Sequence, residues 1–150
     1  MQEAACNSIQ EQDVRTGCSR DSERRGRVLV VDDTPDVQRL LRALLTHCGV
    51  EVDVAENGQQ ACVLAQDSAA AERAYDLILM DIQMPVLDGL AATQQLRKQE
   101  WNGPIVAITG FASPEGRQRC LEVGCNEYLA KPISLRDLQQ LLARYVRPGA

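Results

Sequence analysis

Five short apolar runs, each followed by a segment of helical periodicity, constrain the fold of this chain more than any other feature. VLVV (28–31), the alternating VEVDVA (50–55), LILM (77–80), IVAI (105–108) and the apolar part of NEYLAK (126–131) have the length and β-branched content of strands. Between them lie amphipathic stretches. Thr34-Pro35 opens the first, and Val37, Leu40, Leu41, Leu44 and Leu45 recur on one predicted stripe before Gly49 ends it. Asn57-Gly58 precedes a second helix carrying Ala61, Cys62, Leu64 and Ala65, which DSAAAERA completes with a loose connection. A third is predicted from about Leu87 to Glu100 with Leu90, Ala91 and Leu96 inward. Ser113-Pro114 caps a fourth, weak in propensity, ending near Gly124. Ser134 caps a fifth, with Leu135, Leu138, Leu141, Leu142 and Tyr145 on one side.

Strand and helix alternate five times, which predicts an α/β fold: a parallel, doubly wound (βα)5 sheet covered by helices on both faces. Ligands of such sheets sit at the carboxyl ends of the strands, where the strand order reverses. Polar residues stand at those ends. Asp32 and Asp33 follow the first strand, Asp81 the third, Thr109 the fourth and Lys131 the fifth. Singly, each has an ordinary reading: a helix cap, a turn former, a surface lysine. Together they fall at one end of four strands. If the first and third strands are neighbours, three carboxylates converge and repel, and they need a cation. Hard oxygen donors suit Mg²⁺, which binds readily beside a phosphate. Lys131 and Thr109 add a positive charge and a hydroxyl, outlining a pocket for a small tetrahedral anion.

At VLVVDDTPD, LILMDIQMPVLDG, IVAITG and YLAKPI, in that order, the chain resembles the receiver domain of bacterial two-component response regulators. The resemblance covers residues 27–147, with 1–26 a polar tail or linker and 148–150 a short tail. It implies the flavodoxin-like strand order 2-1-3-4-5. It also implies roles. Asp81 is the phosphoacceptor for a phosphohistidine. Asp33, Asp81 and the Gln83 backbone carbonyl ligate Mg²⁺, with Asp32 acting mostly through water. Lys131 binds phosphoryl oxygens, and Pro132 follows a cis peptide bond. Thr109 moves to bond the phosphate, and Tyr128 turns inward with it. The implied partners are a histidine kinase or a histidine phosphotransfer protein, and a downstream protein docking on helix four, strand five and helix five. Gln83 and Phe111 flank the pocket, and Gly110 leaves it open.

The remaining features narrow the alternatives. A net charge of −5 without a basic stripe argues against nucleic acid. No apolar run approaches the ~20 residues of a membrane span, and MQEAACNSIQEQ lacks the build of a signal peptide. Six cysteines without a CxxC pair, and one histidine, His47, offer neither a zinc site nor a disulfide scaffold. Cys48, Cys62, Cys120 and Cys125 read as small core hydrophobes of a cytoplasmic protein. Two other functions share some of these residues: a Mg²⁺-dependent aspartyl phosphatase, and a receiver-fold scaffold without phosphotransfer. The first places its nucleophile after strand one, and the second usually loses an acid or the lysine. MDIQMPVLDG and the tail suit the receiver of a hybrid sensor histidine kinase; a stand-alone receiver is the other arrangement.

Overall fold

The computed structural model describes residues 26–83, 88–110 and 112–146. The tail predicted for 1–26 therefore lies outside the described residues apart from Gly26, as do residues 84–87, Phe111 and 147–150. The elements alternate strictly: β1 (Arg27–Val31), α1 (Pro35–His47), β2 (Glu51–Ala55), α2 (Gly58–Ala70), β3 (Leu77–Asp81), α3 (Gly89–Lys98), β4 (Ile105–Thr109), α4 (Pro114–Val123), β5 (Glu127–Ala130) and α5 (Leu135–Tyr145). All strand pairs are parallel, in the order β2-β1-β3-β4-β5. The expected topology is thus the observed one.

Residues of β1, β3 and β4 are almost entirely buried because helices cover both faces of these central strands. One layer joins Val28, Val30, Leu77, Leu79, Val106 and Ile108 to Leu41 and Leu45 of α1 and Leu138 and Leu141 of α5. The opposite layer joins Leu29, Ile78, Met80 and Ala107 to the smaller side chains Ala61, Cys62 and Ala65 of α2, Ala92 of α3 and Cys120 of α4. The four described cysteines are free thiols, three of them buried.

Each helix begins at the carboxyl edge of the sheet, and local chemistry starts each one there. Asn57, Asp88, Ser113 and Ser134 accept hydrogen bonds from Gln60, Ala91, Gly116 and Asp137 backbone amides. Ser134 and Asp137 complete a reciprocal capping box. At α1 the expected threonine cap is corrected. Thr34 holds the N-cap position but its side chain makes no cap bond; its own amide donates to Asp32 Oδ1 at 2.8 Å. The turn that leads into α1 is therefore closed by a carboxylate of the functional edge itself.

Two inward assignments also change. Leu40 is 54% exposed, because the buried stripe of α1 narrows to Leu41 and Leu45, with Val37 and Leu44 partly covered. In α3 the buried positions are Gly89, Ala92, Thr93 and Leu96, while Ala91 is only partly buried. We expect Leu45→Ala to cost about 2–5 kcal/mol in urea denaturation. Leu40→Ala should cost less than about 0.5 kcal/mol; a large loss there would contradict the exposed placement.

Candidate metal and phosphoryl site

Register brings the acids together. Val31 lies opposite Met80, so the residues that follow them, Asp32 and Asp81, emerge side by side from adjacent strands. Asp81 lies opposite Ile108, and Thr109 opposite Ala130, which puts Lys131 just beyond the same edge. The Lys131 amide then bonds the Thr109 carbonyl at 2.8 Å. Asp32, Asp81 and Thr109 are buried, and Asp33 is exposed.

Carboxylate oxygens of Asp32, Asp33 and Asp81 all lie within 4.8 Å of one another. Lys131 Nζ stands between two of these acids, 3.1 Å from Asp32 Oδ2 and 3.4 Å from Asp81 Oδ2. The Gln83 amide donates to Asp81 Oδ1 at 3.1 Å. Its backbone thus turns back over the acid directly after the strand. When ionised, three carboxylates facing one ammonium leave an excess of two negative charges, which a divalent cation would balance. The donors are all hard oxygens, and the exposed Asp33 gives the cluster an open side. The residues present therefore fit a small, partly hydrated cation such as Mg²⁺.

Burial pushes the Asp81 carboxyl above its ordinary value, and the neighbouring Asp32 charge adds to this; the Gln83 amide and Lys131 pull the other way without cancelling it. Lys131 is also raised. Desolvation works against its charge, but the hydrogen bond to Asp32 and the charges of Asp81 and Asp32 outweigh it.

Two neighbours escaped sequence reasoning. Gln38, on α1, donates from Nε2 to the Asp32 backbone carbonyl at 2.5 Å, fixing the turn that presents the acids. Only the 3.6-residue geometry of α1 puts a glutamine there, and a polar residue facing outward carries no signal in the sequence. Gly89, at the start of α3, lies so close to the site strand that an added Cβ would come within 2.4 Å of the Asp81 carbonyl oxygen. The sequence reading began this helix at about Leu87 and gave Gly89 no part in the site. Of the sequence-derived set, Asp32, Asp33, Gln83, Asp81, Thr109 and Lys131 share one edge. The Lys131–Pro132 peptide bond is cis. Tyr128 lies on β5 beside α4, with its hydroxyl accepting a hydrogen bond from the Ser113 amide at 3.1 Å. The Gln83 side chain lies beside Gly110, whose missing Cβ would sit 3.8 Å from Gln83 Oε1.

Residues 28–143 match the model of the response regulator receiver domain family. The chain belongs to that family. This receiver is 39% identical over 129 residues to the sensor protein GacS of Pseudomonas syringae pv. syringae; the match covers 83% of the receiver but only 14% of GacS. The receiver domain of the sensor histidine kinase PA1611 from Pseudomonas aeruginosa, with magnesium coordinated in its active-site cleft, is 40% identical. The match covers 81% of this chain and 97% of that one, with a TM-score of 0.68. The receiver domain of Ssk1 from Saccharomyces cerevisiae, solved with the histidine phosphotransfer protein Ypd1, is 31% identical. There the match covers 81% and 88% of the chains, with a TM-score of 0.72. This chain is accordingly a receiver domain of a two-component phosphorelay.

The raised Asp81 value has a consequence in chelator, with no metal bound. Folded protein holds the Asp81 proton to higher pH than unfolded protein does. Stability therefore falls as pH rises from the ordinary 3.8 through the raised value, and the loss is complete above it. Asp81→Asn should be more stable than wild type in urea at pH 7, with the difference shrinking as pH falls toward 3.8. An equal difference at both pH values would contradict the burial effect.

Proposed function

We propose that Asp81 is the phosphoacceptor of this receiver. The observation that supports this best is the convergence of Lys131, Asp32 and Asp33 on the Asp81 carboxylate. An Asp81 carboxylate oxygen attacks phosphorus, the P–N bond of a phosphohistidine breaks, and the electron pair stays on the imidazole nitrogen. Lys131, already within reach of Asp81, takes a transferring phosphoryl oxygen and offsets charge as it develops. Asp33, Asp81 and the Gln83 backbone carbonyl would hold Mg²⁺, and Asp32 keeps Lys131 in place. Bound there, the ion would supply charge neutralisation for the transferring group.

Thr109 closes on the new acyl phosphate, and Tyr128 follows it, so that a local charge biases a two-state element. The phosphodonor is a histidine kinase or a histidine phosphotransfer protein, the class of partner seen with the yeast relative. Helix α4, strand β5 and helix α5 form the downstream docking face. The receiver acts in the cytoplasm as part of a hybrid sensor histidine kinase, of which it is one segment. Among the described residues no helix is long and apolar enough to cross a membrane.

With Mg²⁺ and acetyl phosphate, intact-mass analysis should show the gain of one phosphoryl group, mapped to Asp81. Asp81→Asn or chelation should reduce the gain to background. A phosphoryl group on another residue would refute the assignment. Lys131→Ala should retain Mg²⁺ binding, measured by titration. It should also slow Asp81 phosphorylation on the order of 100-fold, the cost of removing one transition-state donor. An unchanged rate would remove Lys131 from the mechanism.

A further inference from the structure

We infer that the first turn of α4 forms a seat for the Tyr128 hydroxyl, built from the Ser113 amide and the missing side chain of Gly116, and that this seat sets the resting position of the switch. The inference rests on the phosphoacceptor reading above and on Tyr128 as its moving residue. Tyr128 stands opposite Ala107 on β5 and packs against the layer under α4. Its hydroxyl reaches the start of that helix and accepts from the Ser113 amide at 3.1 Å. Ser113 meanwhile caps the helix, its Oγ accepting from the Gly116 amide at 3.0 Å.

Gly116 makes the seat possible. A Cβ built there would lie 3.0 Å from Tyr128 Oη, 3.0 Å from Ser113 Oγ and 3.7 Å from Tyr128 Cζ. The first two separations are tighter than ordinary van der Waals contact. Nothing in the backbone asks for glycine, since Gly49 and Gly124 are the positive-φ glycines among the described residues. Glycine is also a poor helix former, and α4 already contains proline at its start. What Gly116 supplies is room for the phenol. Ser113 lies four residues after Thr109 in the sequence, so the seat is close along the chain to the residue proposed to move toward the phosphoryl group. Ser113 and Gly116 are therefore positioning residues: they lie outside the acidic cluster, and they fix where the tyrosine rests.

The test uses the whole chain labelled with 3-fluorotyrosine. Its three tyrosines, Tyr75, Tyr128 and Tyr145, give three fluorine NMR resonances assignable by Phe substitution. In wild type, Mg²⁺ with beryllofluoride should shift the Tyr128 resonance. Without ligand, Gly116→Ala should already move that resonance in the same direction, leaving Tyr75 and Tyr145 in place, and Gly116→Ser should move it further. Gly116→Ala should also tighten apparent beryllofluoride affinity by about fivefold. That gain should vanish in a Tyr128→Phe background, which simple stiffening of α4 would not do. A resting Tyr128 resonance unchanged by both Gly116 variants overturns the seat alone, provided wild type responds to beryllofluoride. A gain that persists without the hydroxyl does the same. A wild type that binds no beryllofluoride overturns the phosphoacceptor reading together with the seat.

Discussion

A single ammonium group stands between two nearly dry carboxylates at the end of the sheet, and the rest of the functional edge is arranged around it. Asp32 and Asp81 are adjacent because parallel register leaves them no alternative. Burial denies them the water that would screen their repulsion. Lys131, carried on the fifth strand's exit and tied through its amide to Thr109, supplies the compensating charge. Buried ion pairs of this kind seldom add net stability over apolar packing. Their presence at the strand ends, where apolar residues otherwise run unbroken, makes sense as chemistry, with the remaining negative charge open toward Asp33.

The two faces of the sheet are packed differently, and the difference bears on how the edge can communicate. The layer under α1 and α5 is built from leucine, valine and isoleucine. That under α2, α3 and α4 contains alanines and three cysteines. Burial raises the pKa of Cys62, Cys120 and Cys125, the last to about 11, so these thiols stay protonated and act as small packing groups. Cys120 is the one fully buried residue of α4, against two in α1 and two in α5. Of the five helices, α4 has the fewest fully buried residues and so the least apolar anchoring to the sheet.

Much of this was legible in the sequence because period and position carry it. Uninterrupted apolar runs identified the central strands, and the acids and lysine placed directly after them could only lie at one edge. The strand order came from family resemblance, since nothing in the local pattern distinguishes it from other doubly wound orders. Leu40 shows where periodicity misleads: it obeys the spacing of the stripe, yet the stripe presented to β1 and α5 is narrower than the pattern. The Thr34 cap misled for another reason. Threonine before proline signals a helix start, but the bond at that start is taken by an acid two residues back. Gln38 and the crowding at Gly89 were invisible, because both depend on three-dimensional approach between segments that share no pattern.

The two ends of α4 are held by unlike means. At its carboxyl end, Arg97 of α3 donates from Nε and Nη2 to the Gly124 carbonyl at 3.1 and 2.7 Å, and from Nη1 to the carbonyls of Trp101 and Gly103. Gly124 takes a φ of +118°, and a side chain there would collide with the arginine, so this end is locked by backbone geometry and charge together. At its amino end, the Ser113 amide donates to the hydroxyl of Tyr128 on the strand beneath, beside Gly116. Under the phosphoacceptor reading proposed above, a charge arriving at Asp81 would act on a helix anchored at Gly124 by Arg97, with the larger displacement expected at its first turn.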